Sequence, residues 1–314
     1  MSNQFEVLPL GNIGAEVVGL APGADLSPAT AQALYRAWLE HGVLLFRGFG
    51  TDTETHLRLS RVFGELEEHP VKSILVPGQE ELILLGGEGL QKGGAVVVDG
   101  EVRAGYFFFH QDTAYTPNIC KGSMLRMVRK SDSGGETMWV DTQKAYAALP
   151  EPLKARIENL WTMQTYRGGV VERLWGWPGH TVRAPRPDEG PECALDIPDF
   201  PLVTHPMVIA HPETGKKSLL LSPMGFFRID GMEQEEGDAL FDAIVGHALG
   251  ERFTYQHDWE QDDMVLWDNR RSLHSALGYP YHQTRIVYRT TLKGAMPTGR
   301  YYESRSSGTR LDAA

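Results

Sequence analysis

The sequence predicts a mainly β chain with helices packed on its outside. Short apolar and β-branched runs recur between turn residues along most of the chain, whereas helical periodicity is confined to a few segments. Asp99-Gly100 stands between Val96–Val98 and Val102, the signature of a two-residue β-hairpin. No internal repeat or low-complexity linker divides the chain. Together these point to an antiparallel β core flanked by helices.

Taken in order, residues 5–20 alternate loosely and read as short strands. Ser27 can cap a helix through His41, with Leu34, Trp38 and Leu39 on one face. Val43–Phe46 is a short apolar strand, and a second helix covers Glu54–Phe63. Leu82–Leu85 reads as a strand and the glycine-rich Gly86–Gly94 as a loop that can contribute to a lid. Strands follow at Ser123–Arg129 and Thr137–Val140, then helices at Thr142–Leu149 and Glu151–Leu160. Leu202–Ala210 and Ser218–Leu221 read as strands joined by the turn Pro212-Glu213-Thr214-Gly215. A helix over Glu233–Leu249 precedes strands at Phe253–Gln256, Met264–Trp267 and Ile286–Leu292. The expected organisation is one domain over 1–293 with a polar tail at 294–314.

Bulk properties exclude several classes. A net charge of -11 argues against a general phosphate-backbone binder, so no nucleic-acid partner is expected. No apolar run is long enough for a transmembrane helix, and the N-terminus lacks the pattern of a signal peptide. Only 2 cysteines occur, too few for a disulfide framework, and the expectation is a cytoplasmic chain without a membrane partner.

The chemistry-bearing motif is His110-Gln111-Asp112. It follows four aromatics, Tyr106 to Phe109, whose residue type favours a strand although the run does not alternate. Residues i and i+2 of a strand share a face, so His110 and Asp112 can offer an imidazole nitrogen and a carboxylate oxygen to one metal. Two histidines and one carboxylate leave coordination positions open and suit Fe(II) oxygen chemistry. By itself His-x-Asp is a weak motif, and the third ligand must be found among the rest of the 11 histidines. His274 is the best placed, after the strand Met264–Trp267 and the polar turn Asp268-Asn269-Arg270-Arg271.

At this point the chain resembles a known family, the taurine dioxygenase and 2,4-dichlorophenoxyacetate dioxygenase family of Fe(II)/2-oxoglutarate oxygenases. The resemblance lies in HGVLLFRGF (41–49), RVFGELEEHP (61–70), FHQDTAYTP (109–117), SGGETMWVDTQKAYAALP (133–150) and the segments from MVLWDNRRSLHSALGY to RIVYRTTLKG (264–294). The spacings from Asp112 to Thr137 and from His274 to Arg285 also match those of the family.

The resemblance implies a double-stranded β-helix, or jelly-roll, core. It implies that His110, Asp112 and His274 bind iron and act as the catalytic centre, and that Thr137 and Arg285 hold the far carboxylate of 2-oxoglutarate. It implies a dioxygenase that consumes 2-oxoglutarate and O2 and hydroxylates a small anionic substrate. Cleavage follows where the hydroxylated carbon bears oxygen or sulfur. Related halogenases lack the carboxylate ligand, so Asp112 points to hydroxylation. Arg289 can share a strand face with Arg285, and in the taurine enzyme's pattern such an Arg meets the substrate's anionic group; the alternative is a structural ion pair. His69 matches a pocket-lining position of the taurine enzyme.

Two departures argue against taurine itself: Lys72 stands where the taurine enzyme has Tyr, and Phe107-Phe108-Phe109 replaces polar residues and Trp. Phe107 and Phe108 either line an apolar substrate pocket suited to an aryloxyalkanoate or pack as plain core. Trp139 and Trp267 read as core residues. The same chemistry on an amino acid or natural-product intermediate, and a metal-binding jelly-roll sensor without turnover, are the competing functions. A homo-oligomer is expected only from the family's habit.

Overall fold

The structure is a computed structural model and describes residues 5–69, 72–87, 95–166, 173–178, 182–184, 200–294 and 297–303. The first stretch holds β1 (Glu6–Pro9), β2 (Ala15–Val18), α1 (Pro28–His41), β3 (Val43–Phe46) and α2 (Thr53–Arg61). Then come β4 (Leu75–Val76), β5 (Gln79–Gly87), β6 (Ala95–Val98), β7 (Glu101–His110), β8 (Gly122–Arg129) and β9 (Thr137–Asp141). The middle contains α3 (Thr142–Ala147), α4 (Glu151–Ile157), β10 (Trp161–Gln164), β11 (Val182–Ala184), β12 (Val203–Pro206), β13 (Val208–Ala210), β14 (Lys217–Leu219) and β15 (Phe226–Ile229). The last stretch has α5 (Gln234–Ala248), β16 (Thr254–His257), β17 (Met264–Asp268), β18 (Ser272–Pro280), β19 (Arg285–Leu292) and β20 (Arg300–Tyr301).

Two sheets carry the architecture: an eight-stranded one, β1-β2-β3-β17-β8-β19-β5-β4, and a six-stranded one, β11-β6-β7-β18-β9-β16. Strand alternation sorts their side chains into three layers. Leu44, Phe46 and Leu266 turn outward onto Leu34 and Trp38 of α1. Their neighbours Val43, Leu45, Val265 and Trp267 turn inward and meet Trp139 between the sheets. Val140 and Leu273, from the outer face of the second sheet, pack on Phe241 and Ile244 of α5. Trp38, Trp139 and Trp267 are fully buried, and truncating a core residue of this size costs about 3–5 kcal/mol. The jelly-roll expectation is met, and Trp139 and Trp267 are core residues.

Local signals account for the ends of the elements. The Ser27 hydroxyl accepts from the Thr30 N–H at the start of α1, and Gly42 closes that helix with φ 77. A side chain at Gly42 would also strike the Arg271 guanidinium, 2.7 Å from the position of a Cβ. Asp99 and Gly100 have φ 52 and 81, as a type I′ hairpin turn demands, and Val98 pairs with Glu101.

Three expectations change. β18 is a full strand although SLHSALGYP shows no alternation; it is buried by neighbours on both edges, β7 and β9. The strand expected over Leu202–Ala210 breaks at Met207 into β12 and β13, which join different sheets. The expected polar tail is structured over part of its length, where Tyr301 of β20 pairs with Val203 of β12. Residues 88–94 of the glycine-rich segment lie outside the described residues. Among the described residues no helix is long and apolar enough to cross a membrane.

Candidate active site

β7 and β18 bring the two histidines together. His110 and His274 are register partners, and their ring centroids lie 4.1 Å apart. A register shift between His274 and Ala276 makes Phe107, not Phe108, the partner of Ala276. Partners across a ladder share a face, so Phe107 and His110 point to the same side although they are three residues apart. Phe108 and Phe109 are displaced by this bulge into the large core beside α5. The pocket reading of Phe108 is therefore corrected to core, while Phe107 stays 36% exposed with its ring 6.3 Å from that of His110.

Each ligand candidate is oriented by a neighbour. His110 Nδ1 bonds the Phe108 carbonyl at 2.8 Å, so that nitrogen carries the proton and Nε2 keeps its lone pair. His110 Nε2 lies 3.6 Å and His274 Nε2 3.8 Å from Asp112 Oδ1. Ligand atoms of the three buried residues fall within 4.8 Å of one another, which fits a single metal ion. The Ser123 hydroxyl donates to Asp112 Oδ2 at 2.8 Å and fixes the other carboxylate oxygen. Gln111, between the ligands, is turned the opposite way: its Oε1 accepts from Leu221 and Ser222 N–H and its Nε2 donates to the Leu219 carbonyl. Asn269 clamps the Asp112 backbone from both sides, accepting its N–H at 2.7 Å and donating to its carbonyl at 2.9 Å and to that of Cys120 at 3.1 Å. Ser123, Gln111 and Asn269 are functional supports that sequence reasoning missed; the only trace of Asn269 was its place in the polar turn before His274.

Electrostatics favours metal-ready protonation states. Burial pushes the Asp112 carboxyl up, but the Arg289 guanidinium and both imidazoles outweigh it and hold Asp112 well below the ordinary carboxylate range. Burial, with His110 beside it, keeps His274 well below the ordinary imidazole value and hence neutral.

The second cluster faces this one from the other sheet. Val287 of β19 lies in the inter-sheet core, so Arg285 and Arg289, two residues to either side, face inward as well. Thr137 shares the inner face of β9 with Trp139. Trp259 ties the corner together, donating its Nε1–H to Thr137 Oγ1 at 3.0 Å with its ring 5.9 Å from the Arg285 guanidinium. Gly134 and Gly135 both have positive φ and turn the chain into β9, and a Cβ on Gly135 would come within 2.9 Å of Arg285 Cδ. Among the described residues no carboxylate forms an ion pair with Arg285, and its buried Nε and the nearby Tyr279 hydroxyl have no partner. Burial pushes Arg285 down to about 10, which still leaves it a cation at neutral pH. A buried cation without an anion is costly, so this corner fits the carboxylate of a bound acid.

Arg289 instead donates through Nη1 to Asp112 Oδ1 at 3.0 Å. Beyond it stand Tyr115, Tyr166 and Phe200, whose ring centroids are 4.5 to 5.9 Å apart. Tyr115 follows Asp112, the partner of Arg289, by three residues, which keeps this aromatic group near that ion pair. None of the three was singled out from the sequence. His69 is partly buried, just past Glu67, whose N–H bonds the Thr291 carbonyl; this segment therefore runs beside the strand that carries Arg289. The side chain of Lys72 lies outside the described residues.

Residues 6–291 match the family model described as taurine catabolism dioxygenase TauD, TfdA family. The chain belongs to this dioxygenase family. It is 34% identical to an alkylsulfatase of Acinetobacter baylyi over 92% of this chain and 84% of that protein. It is 31% identical to the (S)-phenoxypropionate/alpha-ketoglutarate-dioxygenase of Sphingobium herbicidovorans, over 94% and 96% of the two chains. A crystal structure of a taurine dioxygenase from Burkholderia xenovorans superposes with a TM-score of 0.74 at 26% identity, covering 96% of this chain and 97% of that one. The dioxygenase uses Fe(II), with 2-oxoglutarate and O2 as co-substrates.

Proposed function

We propose that His110, Asp112 and His274 hold the Fe(II), that Thr137 and Arg285 hold the far carboxylate of 2-oxoglutarate, and that Arg289 receives the anionic group of the primary substrate. Iron with 2-oxoglutarate and O2 supplies a hydroxylating oxidant, and 2-oxoglutarate leaves as succinate and CO2. The protein's own work is to bind, orient and keep dry. The fork of Arg285 and the hydroxyl of Thr137 fix one end of the keto acid. Inter-sheet apolar residues such as Trp139 and Val287 exclude water from its surroundings.

The substrate class follows from the Arg289 corner. A largely enclosed guanidinium, with Tyr115, Tyr166 and Phe200 grouped near the Asp112 it pairs with, suits an organic anion with an apolar body. In this reading Phe107, beside His110, and His69, whose segment runs next to the Arg289 strand, contribute to the substrate site. The favoured substrates are alkyl sulfate esters and aryloxyalkanoates; the names of the two curated relatives point the same way. Hydroxylation of the carbon that bears the ester or ether oxygen creates a hemiacetal-type centre. It collapses to a carbonyl compound with release of sulfate or a phenol, so one C–O bond is broken. We also read 1–293 as one catalytic domain of a cytoplasmic enzyme that self-associates.

The observation that carries the proposal is the pair of inward arginines opposite the His-Asp-His group, of which the buried Arg285 has no carboxylate in ion-pair contact among the described residues. The test is succinate release by the Fe(II)-loaded enzyme with ascorbate and 2-oxoglutarate, across alkyl sulfates of rising chain length and 2-aryloxypropionates. Stoichiometric succinate, carbonyl product and sulfate or phenol are expected from at least one series. Succinate at the no-substrate background throughout both series would refute the substrate class.

A further inference from the structure

Asp112 Oδ1 has two claimants. It is the carboxylate oxygen that faces both histidine Nε2 atoms, at 3.6 and 3.8 Å, and it is also the acceptor for Arg289 Nη1 at 3.0 Å. Oδ2 offers no way out, because the Ser123 hydroxyl occupies it and Asn269 pins the backbone on either side. Turning the carboxylate to give one oxygen to the arginine and the other to a metal would disturb the Ser123 bond. The guanidinium has capacity to spare: its buried Nε has no partner, and among the described residues Asp112 is the only carboxylate within ion-pair distance.

We infer that Arg289 couples substrate to metal: it weakens divalent-metal binding until an anion docks on it. This rests on the proposed role of Arg289 as the substrate's anion receptor. A fixed cation beside Oδ1 draws on the lone pairs that a metal needs and repels a second cation directly. An anion docked on the free side of the guanidinium offsets that charge and competes for its N–H groups. Asp112 is then released toward the metal. Linkage makes the effect reciprocal, so bound metal also tightens anion binding by the same factor. The enzyme would hold iron most firmly when its substrate is in place.

The measurement is binding of Mn(II), followed by the electron paramagnetic resonance signal of the free ion. It is made on the full chain without 2-oxoglutarate, with inorganic sulfate as the anion probe and chloride balancing ionic strength. In the wild type, saturating sulfate is expected to tighten Mn(II) by about tenfold. Arg289→Gln should bind Mn(II) about as tightly as the sulfate-saturated wild type and show no sulfate dependence. Arg289→Lys keeps the charge, guards against a folding defect and should bind Mn(II) more weakly than the Gln variant. Mn(II) binding in Arg289→Gln that is equal to or weaker than in the sulfate-free wild type overturns the inference. So does a sulfate effect that persists in that variant. A raised substrate KM in Arg289→Gln with unchanged Mn(II) affinity overturns the coupling and leaves the proposed function standing. An unchanged KM with tightened Mn(II) removes the anion receptor, and the coupling with it.

Discussion

Arg285 and Arg289 stand four residues apart on the inner face of β19, yet their surroundings differ. Arg285 is buried with Trp259 and Tyr279 near it and, among the described residues, has no carboxylate to pair with. Arg289 is partly exposed and already paired with Asp112, with Tyr115 three residues further along the chain from that partner. The unpaired cation is costly to bury, and in the proposed function the carboxylate of 2-oxoglutarate offsets it. The paired cation can wait, because the protein satisfies it in the meantime. In the proposed function the same residue type on one strand serves two ligands, and what separates them is whether a carboxylate of the described residues lies within reach.

The comparison breaks most visibly at Arg285. Arg285→Gln should raise the KM for 2-oxoglutarate by about 100-fold, the loss of a charge-assisted fork of about 3 kcal/mol, while Mn(II) affinity measured without 2-oxoglutarate stays at the wild-type value. A metal affinity that moved as it does in Arg289→Gln would erase the distinction between the two ends. Asn269→Ala acts only at the Arg289 end. It strips partners from the Asp112 N–H, the Asp112 carbonyl and the Cys120 carbonyl, a destabilisation of about 2–4 kcal/mol, read from the urea midpoint. Mn(II) binding should weaken about tenfold with the 2-oxoglutarate site intact. Wild-type Mn(II) affinity in a folded Asn269→Ala would show that Asp112 needs no clamp.

Acid sensitivity sharpens the contrast, because it arises behind Arg289 and not at Arg285. His56 is fully buried beside Thr290, and burial, aided by Arg126, lowers it to about 3. His205 is lowered by burial to about 4. Above the ordinary value of 6.5 both are neutral in the folded and unfolded states. Below it the unfolded chain takes up protons that the folded chain refuses. Stability should therefore fall as pH drops from about 6.5 toward 4, by up to about 1.4 kcal/mol per pH unit for each histidine. Urea unfolding at pH 7.5 and 5.0 measures this, and a flat or rising stability toward pH 5 contradicts it. The smallest effect belongs to Phe107→Ala. Its partly exposed ring predicts less than about 1 kcal/mol of lost stability, with a few-fold rise in KM for the bulkiest acids. A core-sized loss would mean that Phe107 packs as Phe108 does.

Much of this was legible in the residues. β-branched runs, the Asp99-Gly100 turn and the Ser27 cap announced their elements because each depends on neighbours only a few positions away. His110-x-Asp112 was legible as a local pair, although β7 ends at His110 and it is the turn held by Asn269, not strand alternation, that brings Asp112 to the histidines. The spacings that matched a known family carried His274, Thr137 and Arg285, none of which could be joined to the pair by local reasoning. β18 was not readable, because a strand buried by partners on both sides needs no alternating pattern of its own.

What the sequence by itself determined is therefore the class of strand and helix, two candidate ligands of a metal and, through resemblance, the chemistry of the family. Only the tertiary structure decided that a bulge opposite His274 sends Phe107 toward the site and Phe108 into the core. It alone decided that Asn269 and Ser123 hold Asp112, and that Arg289 shares Asp112 Oδ1 while Arg285 has no carboxylate partner among the described residues. The physical reason is that these outcomes depend on which residues face one another across ladders and between sheets. That pairing is set by the packing of the whole chain and has no fixed distance along it.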